Sequence, residues 1–409
     1  MGLSDSQGEA MSLFKKGRNL FISGPAGTGK SYLIDVIFNN ARKKVQVCAT
    51  TGCAASLLQK VNAKTIHAWS GMGIGVGSTK DVISRINTNK KIVNHWKSTE
   101  ILIIDEVSML SAKMINLLDD IARYIRKTDL PFGGIQIILV GDFYQLPPVG
   151  NPRDPLTSAF CFESDRWGTL IHDVIELSTC FRHVDSLYAK IMNEIRVGIL
   201  SKTSNDILKS KVNKRMNHDH CIIYPNRYQV NKVNEHRLRQ LDESSKHVYN
   251  PMCTEPFQLS KYEDIELRVG ARVMCTANIE TSGSNYIVNG SPGKVVSFRD
   301  GFPVVVFNNG AMRVMTTHEF PTDIDDVYVR HIPLMLAWAI TIHKSQGITL
   351  ESAEVDAGSG IFECGQTYVA LSRLKTLDGL HLSAYDVRKV KVNRKVKQFL
   401  YFFRAKYLS

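Results

Sequence analysis

"NLFISGPAGTGKSYLIDVIFNN", residues 19–40, joins an apolar run to a glycine-rich turn and then to an amphipathic segment. Its centre, Gly24 to Ser31, fits the spacing G-x-x-x-x-G-K-[ST], and it sits after a strand and before a helix, where that spacing has a mechanism. Glycines at 24, 27 and 29 let backbone amides turn inward around phosphates, and the following helix points its positive end at the same anion. The cradle comprises Gly24, Pro25, Ala26, Gly27, Thr28, Gly29, Lys30 and Ser31, with Lys30 reaching the β and γ phosphates and Ser31 set to ligate Mg²⁺. The expected ligands are therefore ATP and Mg²⁺.

Working outward, the first 150 residues repeat a strand, turn and helix rhythm. "VQVCATTG", "ILIIDEVSM" and "IQIILVGD" are short, nearly continuous apolar runs, each set beside an amphipathic segment. Such runs predict a buried parallel sheet covered by helices, an α/β domain. In "ILIIDEVSM" the strand ends in Asp105 and Glu106, at the carboxyl edge where open α/β sheets place ligands. Asp105 is the expected Mg²⁺ partner, directly or from behind another ligand, and Glu106 the general base for the attacking water. "ILVGDFYQLPPV" repeats the arrangement one strand later, where neutral Gln145 suits orienting water and sensing the γ-phosphate, with Pro147 and Pro148 fixing the loop. Hydrolysis also needs positive charge on the developing transition state, best supplied from another domain. Arg182 in "STCFRH" and Arg373 in "VALSRL" are the candidates.

A chain of 409 residues exceeds a single core and predicts two or three domains. The reading is a first domain over 1–168 with a small insertion at 70–98, and a second α/β domain over 169–264 and 333–388. Several short strand-like runs separated by Gly, Asn and Asp turns predict a small β-barrel inserted at 265–332. A basic helix closes the chain at 389–409, because the tail from Val387 carries eight basic and no acidic residues. The net charge of +12 points to a polyanionic partner, nucleic acid or an anionic membrane. No run approaches the ~20 apolar residues of a membrane span, so a soluble intracellular protein without a membrane partner is expected. Eight scattered cysteines without a C-x-x-C pair argue against zinc or a disulfide framework.

If the polyanionic partner is a nucleic acid of arbitrary sequence, its phosphates would be held by small donors and its bases stacked on rings. "ATTGCAAS" offers Thr51 and Gly52, "KTIHAWSG" offers His67 and Trp69 as stacking rings, and "AITIHKSQGITL" offers His343, Lys344 and Thr349.

Taken in order, "SGPAGTGKS", "ATTGCAAS", "KTIHAWSG", "LIIDEVSM", "PFGGIQIILVGDFYQLPPV", "CFRH", "IIYPNRYQVNKVN", "VNGSPGKVV", "AWAITIHKSQGITL" and "YVALSRL" closely resemble the PIF-type (petite integration frequency) DNA helicases of superfamily 1. The resemblance covers nearly the whole chain. It implies two RecA-like P-loop domains, a wedge-like insertion in the first and an SH3-like barrel in the second. By that likeness Gln7 reads the adenine, Phe181 stacks on it, and Arg182 and Arg373 are the two arginine fingers. It further implies an ATP-dependent helicase moving 5′ to 3′ on single-stranded DNA, acting as a monomer on forked or tailed duplex in replication, repair or recombination. RNA–DNA hybrids and G-quadruplexes are candidate further substrates. With almost nothing before Gln7, the accessory activities that larger members place in N-terminal extensions are not expected. Two other readings stand beside it: an RNA-directed helicase or a subunit of a recombination nuclease resembling RecD, although no nuclease-type carboxylate cluster stands out, and a non-catalytic nucleic-acid-binding module that uses ATP as a switch, against which Glu106, Gln145, Arg182 and Arg373 together argue.

Overall fold

The computed structural model describes residues 2–73, 78–181, 185–212, 221–253, 262–279, 287–321 and 327–407. Arg182 and parts of the 70–98 and 265–332 segments lie outside these. The chain forms two compact units, the first from Met1–Ser201, Glu363–Tyr368 and Val390–Ser409, the second from Lys202–Phe362 and Val369–Lys389.

The first unit is built on six strands: β1 (Leu20–Ser23), β2 (Val45–Ala49), β3 (Lys64–Thr65), β4 (Ile101–Asp105), β5 (Gln136–Gly141) and β6 (Asp173–Glu176), in the order β3-β2-β4-β5-β1-β6. Every pairing is parallel. That topology explains the apolar runs, since a parallel sheet is covered on both faces and β1 and β4 are buried at every position. Leu20, Ile22, Ile103, Ile138 and Val140 pack with Leu33, Ile34 and Ile37 of the helix Lys30–Asn40. Because all strands run the same way, the residues that follow β1, β4 and β5 emerge at one edge of the sheet.

β6 pairs with β1 in the first sheet, Ile22 opposite Ile175, so residues 169–201 belong to the first unit and not to the second domain expected from the resumed rhythm. Strand order is long-range information that local periodicity does not carry. The 70–98 segment holds two helices, Thr79–Thr88 and Lys90–Ser98, that pack on the helix Ala112–Arg126 and not in the sheet. Arg126 holds their end by donating from Nη1 to the carbonyls of Trp96, Lys97 and Thr99 at 3.0 to 3.1 Å. The tail helix Arg394–Tyr407 buries Val396 and Leu400, and its Phe399 ring stacks on Phe162 at 4.3 Å within the same unit.

The second unit has β7 (Cys221–Tyr224), β8 (His247–Tyr249), β9 (Ile265–Leu267), β10 (Arg272–Cys275), β11 (Pro292–Arg299), β12 (Phe302–Phe307), β13 (Met312–Val314), β14 (His318–Pro321), β15 (Tyr328–His331), β16 (Leu334–Leu336), β17 (Ala339–Thr341), β18 (Ala353–Ala357) and β19 (Leu380–Tyr385). A four-stranded parallel sheet runs β17-β7-β18-β19, and a five-stranded antiparallel sheet runs β13-β12-β11-β10-β16. The tight hairpin between β11 and β12 turns on Asp300 and Gly301, both with positive φ (51° and 77°), as a two-residue turn between right-twisted strands requires. β16, beyond residue 332, is the edge strand of the antiparallel sheet.

Candidate nucleotide and nucleic-acid sites

In the first unit the phosphate loop leaves β1 and enters the helix Lys30–Asn40 through Gly27 and Gly29, at φ 86° and 78°. An L-residue at 29 would be strained, and its Cβ would stand 2.8 Å from Gln7 Nε2 and 3.5 Å from the Phe181 ring. That crowding places three predicted residues together. Gln7 is buried, donates from Nε2 to the Thr28 carbonyl at 3.4 Å, and accepts Ser4 N–H at 3.0 Å as the third residue of a helix capping box. Phe181 donates its amide to the Gly27 carbonyl at 2.8 Å while its ring stands 54% exposed, a large apolar face left beside the loop. Thr28 Oγ1 donates to the Pro25 carbonyl at 2.9 Å.

Lys30 Nζ donates to the carbonyls of Gly24 and Pro25 at 2.7 and 2.9 Å. Burial pushes its pKa below the ordinary lysine value, and the carboxylates of Asp142, Glu106 and Asp105 pull in the opposite direction. Asp105, at the end of β4, is buried and pushed up to about 7, first by desolvation and then by the charge of Glu106, with the Glu106 amide (2.8 Å) and Lys30 opposing. A cation beside Asp105 would restore its ionised form. Ser31 and Asp105 are hard oxygen donors and few in number, which fits Mg²⁺ held mainly by phosphates and water. No cluster of three or more His, Cys, Asp or Glu suited to a metal occurs among the described residues.

Glu106 has left-handed geometry, φ 55° and ψ 42°, a conformation that is unfavourable without glycine. The neighbouring strand makes room for it, since a Cβ on Gly141 would lie 2.9 Å from Val107 N. Thr50 Oγ1 donates to the Glu106 carbonyl at 2.9 Å, tying that turn to the residue before Thr51. Gln145 is buried, with its backbone N–H donating to the Asp142 carbonyl at 2.9 Å. Gly365 abuts the same turn, where a Cβ would stand 2.5 Å from the Gln145 carbonyl.

Sequence reasoning missed Asp142, Arg196 and Tyr368. The Arg196 guanidinium, 4% exposed, grips Asp142 through Nε (2.9 Å) and Nη2 (3.0 Å), reaches Glu176 at 3.2 Å, and lies 4.7 Å over the Tyr144 ring. Burial works to lower its pKa, and the Asp142 carboxylate more than offsets this, leaving it raised. Tyr368 Oη donates to Asp142 Oδ2 at 3.2 Å and accepts the Ala26 amide at 3.0 Å. The only available signals were Asp142 inside "VGDFYQ" and Tyr368 five residues before Arg373.

The nucleic-acid candidates divide. Thr51 is the N-cap of the helix Gly52–Leu57, its hydroxyl accepting Ala54 N–H at 3.1 Å, while the Gly52 backbone faces open space. His67 is half-buried on the helix Ile66–Ser70. Trp69 is a correction. It is fully buried against Trp96, ring centroids 4.5 Å apart, and Trp96 Nε1 donates to the Ser70 carbonyl at 3.0 Å. A ring with no exposed face stacks on no base, so Trp69 is core.

In the second unit the apolar half of "AITIHKSQG" is β17, buried at all three positions, and the polar half is the one-turn helix Ile342–Ser345 capped by Thr341. His343, Lys344 and Thr349 are exposed. The pKa of Lys344 is lowered by desolvation and by Arg227, against Glu263. Arg373 is buried in the same unit. It donates to the carbonyls of Val369 (2.8 Å), Ser345 and Ile348 (both 3.5 Å) and to Ser372 Oγ (2.8 Å).

A family model described as PIF1-like helicase matches residues 3–216, over half of the chain. The chain belongs to the PIF1-like helicase family. It is 35% identical over 414 residues to the ATP-dependent DNA helicase PIF1 of Xenopus laevis, covering 97% of this chain and 64% of that protein. This PIF1-like chain thus spans just under two thirds of that curated relative. Among solved structures, the Pif1 helicase of Candida albicans superposes with a TM-score of 0.83 at 33% identity, over 100% of both chains. The Pif1 helicase from Bacteroides in complex with ADP-AlF3 and ssDNA superposes at 0.77 and 27% identity, over 100% of this chain and 98% of that one. The two parallel sheets with the phosphate loop after β1 are accordingly a RecA-like helicase fold. Among the described residues no helix is long and apolar enough to cross a membrane.

Proposed function

We propose that the chain is an ATP-dependent DNA helicase that moves 5′ to 3′ on single-stranded DNA and opens forked or tailed duplex. The observation that carries the reading is one sheet edge holding the phosphate loop, the Gln7 and Phe181 pair beside it, and Asp105 with Glu106, in a chain similar over its full length to a Pif1 bound to ADP-AlF3 and ssDNA. Gln7 and the exposed ring of Phe181 receive the adenine. Lys30 exchanges its carbonyl partners for phosphate oxygens. Glu106, aimed by its left-handed turn, takes the proton of the attacking water, and Gln145 orients that water. Ser31 and Asp105 would hold Mg²⁺, which would supply charge neutralisation at the phosphates. Arg182 and Arg373 act as the two fingers; only Arg373 comes from the second unit, since the stretch 169–201 belongs to the first, and Arg373 must leave its carbonyl partners to work. Thr51, Gly52, His67, His343, Lys344 and Thr349 hold the strand.

In this reading the helices Thr79–Thr88 and Lys90–Ser98 are the wedge, and the strands between 265 and 332 an SH3-like barrel. The protein works as a monomer on DNA in replication, repair or recombination, with RNA–DNA hybrids and G-quadruplexes as further substrates. Strand displacement on paired duplexes carrying a 5′ or a 3′ single-stranded tail tests it. ATP-dependent opening of the 5′-tailed duplex is expected. Preference for the 3′ tail sinks the polarity, and ATP hydrolysis indifferent to DNA sinks the motor.

A further inference from the structure

Behind the phosphate loop lies a buried group for which this reading has no role: Asp142 0% exposed, Tyr368 3% and Arg196 4%. Its outer member touches the cradle, since the Ala26 amide, within the phosphate loop, is bonded to Tyr368 Oη at 3.0 Å. A phenol has one proton to give, and Tyr368 gives it to Asp142 Oδ2 at 3.2 Å. The Arg196 fork closes on both carboxylate oxygens, so the carboxylate is held from two sides with bidentate geometry. Asp142 also sets the turn beyond it, with Oδ1 accepting Tyr144 N–H at 3.2 Å and its carbonyl accepting Gln145 N–H at 2.9 Å. A displacement at Ala26 is therefore passed through two hydrogen bonds to Asp142, and through its bonds to the Tyr144 and Gln145 N–H groups to the backbone that carries Gln145.

We propose that Tyr368 is a positioning residue of the phosphate loop: its hydroxyl and a nucleotide phosphate compete for the Ala26 amide, so phosphate binding releases Tyr368 and, through Asp142, resets Gln145. The inference rests on the ATP-site reading above.

The test is Tyr368→Phe in the full chain, reading nucleotide Kd by titration with ATP and with ADP, and kcat and KM for DNA-stimulated hydrolysis. Without the hydroxyl the amide loses this partner, so affinity for both nucleotides should tighten roughly 3- to 10-fold, the worth of one net hydrogen bond. In the same variant kcat should fall about tenfold as Gln145 loses its register. A packing role alone would weaken affinity and lower the melting temperature, so unchanged or weaker nucleotide binding overturns the proposal. Arg196→Lys keeps the charge but not the fork and should lower kcat while leaving nucleotide affinity at the parent value. An equal affinity shift in both variants would make the group one structural block and would also overturn it. If the parent protein failed to hydrolyse ATP, the helicase reading would fall, and the titration with Tyr368→Phe would still decide the tyrosine.

Discussion

The strand ends of the first unit and the one-turn helix of the second hold their polar groups in opposite ways. In the first, Lys30, Asp142, Arg196 and Tyr368 are bonded to defined partners, and Asp105 is buried with its pKa raised. In the second, His343, Lys344 and Thr349 are exposed at the surface, although the Lys344 amine itself is partly desolvated beside Arg227, and the buried group is Arg373. A phosphate chain has one geometry, so its site gains from donors fixed in advance. A strand of arbitrary sequence sliding past offers no fixed geometry, and exposed donors that make and break contacts suit it. The comparison forecasts that replacing Lys30, the fixed group nearest the phosphates, costs far more chemistry than replacing any one exposed donor, which only grades it.

The largest effect is expected at Lys30. Lys30→Ala should lower ATP turnover by roughly 1000-fold or more, since in the proposed reading it removes the charge that meets the β and γ phosphates. Its affinity for single-stranded DNA, measured by anisotropy without nucleotide, should stay within about twofold of the parent value. A large loss of DNA affinity would break the division between the two regions.

Arg373 comes next, because it belongs to neither pattern. It is buried like the fixed site yet lies on the carbonyls of Ser345 and Ile348, within the segment that presents His343 and Thr349. As a finger, Arg373→Ala should reduce kcat by about 100- to 1000-fold with KM for ATP changed less than about threefold, a loss confined to the transition state. Loss of thermal stability with kcat and KM altered together would make the arginine a strut for that segment.

The parts of this organisation that were legible in the sequence are those whose chemistry is local. The phosphate loop needs its glycines, lysine and serine within eight residues, and Asp105 with Glu106 follow an unbroken apolar strand, so spacing alone carried both. The Asp142–Arg196 pair joins residues 54 apart, and Tyr368 comes from a further segment, 226 residues from Asp142. No local period records such pairs. β6 read as part of the second domain because its apolar pattern suits any buried parallel strand, and only its pairing with β1 assigns it. Trp69 failed for a related reason. A tryptophan in a polar loop looks the same whether it faces solvent or Trp96, and the partner lies 27 positions on, in the segment taken to lie outside the sheet.

That correction supplies the smallest and most discriminating contrast. Trp69→Ala removes a fully buried ring packed on Trp96 and should cost about 3 to 5 kcal/mol of stability by chemical denaturation. The milder Trp69→Phe keeps an apolar ring there and should leave single-stranded DNA affinity within about twofold, because no face of Trp69 reaches a base. His343→Ala should do the reverse. An exposed side chain on a one-turn helix contributes little to folding, so stability should move by less than about 0.5 kcal/mol. DNA-stimulated turnover should fall several-fold while the DNA-independent rate is retained. Equal loss of both rates in His343→Ala would place that residue in the ATP chemistry itself, and weakened DNA binding in Trp69→Phe would return the tryptophan to the DNA track.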